Sequence, residues 1–142
     1  MSDNALEVQV GGDHYKNYNI QPIEYITKAG LSYLQGTIFR YAIRHRNKNG
    51  AEDIEKAKHY AQIAKQMYHN HTFRGRMKTV YGYTVQFIEK NEIPEKEAEI
   101  ILMLIQCNWE KIEILCEEIL QEYAGLSKKG SSCVTPYHTE DK

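Results

Sequence analysis

The chain has only three cysteines in 142 residues, Cys107, Cys116 and Cys133, with no CxxC spacing and no Cys/His pattern. An odd, widely spaced set excludes a disulfide framework and gives no zinc-ligand motif. No apolar run approaches the roughly 18 residues that a membrane-spanning helix needs. The opening MSDNALEVQV has no basic stretch followed by an apolar one, so no leader is expected and the reducing cytoplasm is the expected compartment. The sequence GxxxxGK[ST] occurs nowhere, which excludes a P-loop. No Ser/His/Asp or Cys/His arrangement stands out, and no internal repeat is found.

Tyrosine, with 11 copies against three Phe and one Trp, dominates the aromatic content. Its apolar ring and hydroxyl suit half-buried positions and interfaces. Hydrophobic residues make up 42%, enough for one domain or for two small helical lobes sharing a core. The formal net charge of −1 hides a division. Residues 40–78 carry ten Lys/Arg and three Asp/Glu, whereas residues 79–125 carry three and ten. That asymmetry points to an anionic ligand for the first stretch, to pairing of opposite faces between subunits, or to plain solvated helix faces.

The periodicity predicts a mainly all-α protein built on a helical hairpin, with further C-terminal helices and a short extended segment at Val8–Val10. Gly11-Gly12-Asp13-His14-Tyr15 reads as a loop. Pro22 opens a short helix that Gly30 ends. Ile38, Tyr41, Ala42 and His45 form a core-facing stripe within a helix over 34–46, and Asn47–Gly50 is a turn. Ala51 to about Asn70 is the clearest helix, with Ile54, Ala57, Ala61, Ala64 and Tyr68 on one face. The short turn makes the two an antiparallel hairpin. Helices are also expected over 80–90, 94–106 and 108–123. The run Ile100–Ile105 must be buried on several sides, at a helix–helix or subunit interface. The organisation is therefore a helical domain over 8–70, an acidic helical region over 79–125 and a flexible tail over 126–142.

Chemistry is most concentrated in the hairpin. Arg40, Arg44 and Lys48 recur every four residues, so that Arg40 and Arg44 can address one anion with their guanidinium forks. Arg46, Lys56 and Lys58 add charge, and Glu52 and Asp53 could orient the arginines or hold Mg²⁺ against a phosphate. The same residues also suit a salt-bridge network across the hairpin. In the loop, Gly11 and Gly12 would let backbone N–H groups approach a ligand, and His14 and Tyr15 could bond or stack on a base; a simple turn with a packed tyrosine is the alternative. His69 and His71 are two residues apart and do not share a helix face. Glu95, Glu97 and Glu99, with Glu117 and Glu118, fit solvated faces better than a metal cage, so no metal centre is expected. Arg74, Arg76 and Lys78 could touch nucleic acid, yet the whole chain is not basic.

Together, Val10-Gly11-Gly12-Asp13-His14-Tyr15, Gln21-Pro22-Ile23-Glu24-Tyr25, Gly36, Arg40-Tyr41, Arg44-His45, Lys48-Asn49-Gly50, Glu52-Asp53, Lys56-Ala57 and His59-Tyr60 resemble the conserved domain of the bacteriophage nucleotide kinases that lack a P-loop. The resemblance covers about residues 8–67. It implies phosphorylation of the deoxynucleoside monophosphates dGMP and dTMP by a nucleoside triphosphate, with Mg²⁺, by a homo-oligomer in the host cytoplasm. It assigns Arg40, Arg44, Asp53 and Lys56 to catalysis. Gly11, Gly12, His14, Tyr15, Tyr41, His45 and Lys48 fall to nucleotide binding. Two positions depart from the family pattern: Thr37 stands where asparagine is usual, and Arg40 where lysine is common. Two alternatives to an enzyme stay open. One is an oligomeric protein that sequesters a nucleotide or a nucleotide-derived host signal without turnover. The other is a helical interaction protein that uses the 100–105 run as a partner surface.

Overall fold

The computed structural model describes residues 5–7, 18–68 and 77–129. The expected extended segment, the glycine loop with Gly11, Gly12, His14 and Tyr15, the basic stretch His69–Arg76 and residues 130–142 lie outside the described residues. Within them there are six α-helices: α1 Pro22–Ala29, α2 Tyr33–Arg44, α3 Ala51–Tyr68, α4 Met77–Lys90, α5 Glu95–Ile105 and α6 Trp109–Lys129. No strand occurs among the described residues.

Each boundary has a local cause. Pro22 fits the first turn of α1, where its missing N–H is no loss. Gly30 then takes the left-handed conformation, φ 70°, and donates to Ile26 O and Thr27 O, satisfying carbonyls at the helix end. Ser32 and Gln35 form a reciprocal capping box on α2: Gln35 N–H donates to Ser32 Oγ at 3.2 Å, and Ser32 N–H to Gln35 Oε1 at 2.8 Å. Such a cap contributes about 1 kcal/mol. Gln35 is buried, and its amide donates across to Leu104 O at 2.8 Å, so the start of α2 is fastened to the end of α5.

α2 stops at Arg44 and tightens into a 3₁₀ turn, His45–Asn47. Gly50, at φ 60°, reverses the chain, and its N–H bonds back to His45 O at 2.8 Å. α2 and α3 thus form the expected hairpin. α3 lies between α2 and α6 and packs most extensively against those two. Ile54, Ala57, Ala61 and Ala64 are fully buried, and the three alanines let the neighbouring backbones come close. Trp109, Ile112, Leu115, Cys116 and Ile119 of α6 join the same core. In the apolar run of α5, Ile100, Ile101, Leu104 and Ile105 are buried, and α5 packs against α2, α4 and α6. The run is therefore a helix–helix seam within the chain.

α6 continues to Lys129, beyond the expected end near 123 and into the segment read as a tail. Gly125 alone does not stop it, because one glycine inside a helix costs only about 1 kcal/mol. The charge division between the two halves is realised partly inside the chain: Lys58 of α3 pairs with Glu117 of α6 at 2.8 Å, and Lys65 with Glu113 at 3.4 Å. Tyr18, Tyr25, Phe39, Tyr83 and Phe87 cluster between α1, α2 and α4. The Tyr25 hydroxyl meets Thr84 Oγ1 at 2.6 Å, and burial pushes its pKa up to about 12.

Candidate functional site

The basic residues of the hairpin divide into two groups with different surroundings. The first lies on the outer face, along the edge where α2 meets α3. Arg44 donates to both oxygens of Asp53, Nε to Oδ2 and Nη2 to Oδ1, each at 3.3 Å. Asp53 is 0% exposed, and it also accepts from Asn49 N–H at 3.2 Å and from Asn49 Nδ2 at 3.5 Å. It therefore fixes the turn that leads into α3. A buried carboxylate needs such donors, since an unpaired one costs several kcal/mol. Both Asp53 oxygens are engaged, so this side chain does not fit the role of a Mg²⁺ ligand.

The Arg44 guanidinium also lies over the Tyr41 ring, its carbon 4.8 Å from the ring centre, and Lys56 Nζ lies 5.7 Å from the same ring. Tyr41 stacks on Tyr60 of α3 with centres 6.0 Å apart and planes 10° from parallel, and His59 flanks Tyr60. Lys56 pairs with Glu52 at 3.4 Å, an exposed i,i+4 pair that water screens heavily. Arg40 is exposed and makes no hydrogen bond or ion pair among the described residues. Lys48 is also exposed, past the end of α2. The Thr37 hydroxyl bonds to Tyr33 O at 2.8 Å and stays within its own helix. The outer face thus offers an available arginine, a second arginine held flat by a carboxylate, a weakly paired lysine and two half-buried tyrosine rings.

The second group points inward. His45 is buried, with Nδ1 2.6 Å from the Tyr123 hydroxyl and Nε2 2.6 Å from Glu97 Oε2. One neutral tautomer satisfies both: Nε2–H donates to the carboxylate and Nδ1 accepts from the tyrosine. Arg46 donates to the same Glu97 oxygen from Nη2 at 2.9 Å and Nε at 3.1 Å. Burial raises the Glu97 carboxyl pKa, but the His45 hydrogen bond, its own backbone N–H and the Arg46 charge outweigh that and hold it below 4.5. A depressed folded-state pKa stabilises the fold above the unfolded value and loses that contribution as pH falls through it. Glu97 is accordingly expected to make the denaturant midpoint fall as pH drops through and below the ordinary carboxylate range. A Glu97→Gln variant should show a shallower acid decline in the same titration.

Tyr18, Asn19, Ile43, Arg46, Asn47, Lys90–Pro94 and Glu97 line a cleft of about 590 Å³ beside this network. Asn91 braces its rim: Oδ1 accepts from Asn19 N–H at 2.7 Å and Ile20 N–H at 3.2 Å, and Nδ2 donates to Ile20 O at 3.0 Å. Arg40 and Arg44 do not line this cleft.

The structure therefore brings Tyr41, Arg44, Asp53 and Lys56 together on one edge, leaves Arg40 exposed one helical turn before Arg44, and places His45 in the interior. Glu97, expected on a solvated face, is instead buried, because packing of α5 against the hairpin turns it onto His45 and Arg46. Lys90 and Asn91 at the cleft, and Tyr60 as the ring stacked on Tyr41, are not among the expected site residues. Only Tyr60 carried a local signal, at helical spacing from Lys56. Among the described residues, no group of three or more His, Cys, Asp or Glu stands close enough to hold a metal ion. No described helix is long and apolar enough to cross a membrane.

Residues 10–62 match the model of a family described as a protein of unknown function, DUF3310. Within the described residues, that span takes in α1, α2, the turn and most of α3, the elements that carry the outer face. No curated protein and no solved structure matches the chain.

Proposed function

We propose that the outer face of the α2–α3 hairpin binds the phosphate of a deoxynucleoside monophosphate, and that the chain phosphorylates it as the resemblance to phage nucleotide kinases without a P-loop implies. The observation that carries the reading is Arg40: exposed, unpaired among the described residues, and one helical turn from Arg44, whose guanidinium lies over the Tyr41 ring. A guanidinium with its fork available takes two phosphate oxygens in parallel. Lys56 needs to leave only a screened surface pair to add its charge. Arg44, held by Asp53, keeps Tyr41 in place and contributes positive potential without moving. A half-exposed tyrosine ring gives the base a stacking platform whatever its identity. Mg²⁺ would arrive with the nucleoside triphosphate. The implied setting is a homo-oligomer in the cytoplasm of an infected cell.

Capture without turnover is the second reading, and Asp53 favours it. That carboxylate is fully engaged by Arg44 and Asn49 and has no oxygen left to orient an attacking phosphate or hold a metal. One experiment separates the two. The purified chain is incubated with dGMP or dTMP, ATP and Mg²⁺, and both the diphosphate product and ADP are quantified. The kinase reading expects the two products in equal amounts. A raised melting midpoint with the nucleotide recovered unchanged supports capture. Neither product nor midpoint shift would remove both readings.

A further inference from the structure

We propose that Tyr123 is the nucleophile of a second site, an acyl-accepting hydroxyl that His45 and Glu97 activate and that takes a small, uncharged activated ester. The site is separate from the phosphate face, since none of Arg40, Tyr41, Arg44 or Lys56 takes part in it. The carrying observation is a chain of three side chains that starts in the core and ends at a half-buried tyrosine. Glu97 Oε2 lies 2.6 Å from His45 Nε2, and His45 Nδ1 lies 2.6 Å from the Tyr123 hydroxyl. His45 and Glu97 are buried, whereas Tyr123 is half-buried on α6. With a neutral imidazole, the protons of this chain have one arrangement. Glu97, ionised beside Arg46, can only accept. Nε2 therefore carries the ring hydrogen, and Nδ1 accepts from the phenol. A base in hydrogen-bond contact with a hydroxyl, and itself oriented by a carboxylate, is the arrangement of an activated nucleophile. The Tyr25 hydroxyl, by contrast, meets another hydroxyl, that of Thr84.

The surrounding charges select the electrophile. Glu122 is the residue before Tyr123, and it pairs with Lys96 of α5 at 3.1 Å. Glu118 and Glu95 also act on Lys96. Three carboxylates thus face Lys96 and Arg46, and Arg46 is already matched to Glu97. An anionic donor such as a phosphate ester is disfavoured there, and an uncharged carbonyl is not. In the step, Tyr123 Oη attacks the carbonyl carbon and the Oη–C bond forms. The bond from that carbon to the leaving oxygen breaks. The phenolic proton passes to His45 Nδ1 and from there to the departing oxygen. The Glu97 charge stabilises the imidazolium in between. The products are O-acylated Tyr123 and an alcohol or phenol.

Limited acetylation of the intact chain with p-nitrophenyl acetate, followed by peptide mass mapping, tests this. Tyr33 and Tyr81, 79% and 49% exposed, are the internal references, since access alone would favour them. A positioned general base contributes roughly 100- to 10,000-fold, so Tyr123 should be acetylated at least about tenfold faster than either, although half-buried. His45→Gln should erase that lead and leave the Tyr33 rate unchanged. Glu97→Gln, which removes the charge that stabilises the imidazolium, should shrink it. In concentrated urea the three tyrosines of the wild-type chain should react alike. Acetylation of Tyr33 or Tyr81 as fast as Tyr123 in the folded protein would overturn the proposal. So would a lead that survives in His45→Gln. Should that variant not fold, the wild-type ratio, folded against unfolded, decides in the same way.

Discussion

Replacing Glu97 with alanine should lower the unfolding free energy by about 1–3 kcal/mol, the cost of leaving the buried His45 N–H without its acceptor. The side chain is buried, and one of its oxygens accepts three N–H groups from His45 and Arg46. Arg46 can recover water because its side chain is 50% exposed, but His45, 1% exposed, cannot. The imidazole would lose its acceptor, and the Tyr123 contact of its other nitrogen would have to re-form around a cavity. For a chain of this size the thermal midpoint should fall by several degrees. Glu97→Gln should lose clearly less, since it keeps an acceptor for Nε2. Chemical denaturation of the three proteins measures this directly. A loss below about 1 kcal/mol for alanine would mean that the network holds little of the fold.

Arg40→Ala and Arg44→Ala should separate function from stability. Arg40 is exposed and contacts nothing polar among the described residues, so its removal should change stability by no more than about 0.5 kcal/mol. A charge-assisted hydrogen bond contributes about 1.5–3 kcal/mol, so dTMP affinity should fall roughly 10- to 100-fold. Arg44→Ala should do the reverse in part. It leaves Asp53 buried with only the Asn49 donors and should cost about 2–3 kcal/mol of stability. Its effect on affinity should be smaller than that of Arg40→Ala, because its guanidinium is already engaged. Denaturation and calorimetric titration on both variants check the pair.

The hairpin was readable from residue order because its information is local. Ile38, Ala42 and His45 fall on one face by spacing and are buried, with Tyr41 half-buried at the stripe's edge. Asn47–Gly50 carries the turn, and the alanines of α3 announce a close helix contact. The four-residue recurrence of Arg40 and Arg44 was equally plain. Which of the two remains available was not, because that depends on Asp53 crossing a 3₁₀ turn to reach Arg44 and not Arg40. The ion-pair network weighed as an alternative is present at Arg44 and, among the described residues, absent at Arg40. The Glu97 network was not readable at all. His45 and Glu97 are 52 residues apart, and the first-turn position of Glu97 in α5 looks like ordinary dipole compensation. Only the packing of α5 and α6 against the hairpin brings His45, Glu97 and Tyr123 together. The charge division was visible too, but its partial resolution through Lys58–Glu117 and Lys65–Glu113 needed the α3–α6 contact.

Nitrogen-15 NMR titration of the wild-type protein with dTMP, without ATP, tests the location of the phosphate site most directly. The expected result is a concentration-dependent shift of the Arg40, Tyr41, Lys56 and Tyr60 amides along the α2–α3 edge, with the Arg40→Ala protein showing none at the same concentration. Shifts confined to other elements, or no shift at millimolar dTMP, would contradict it.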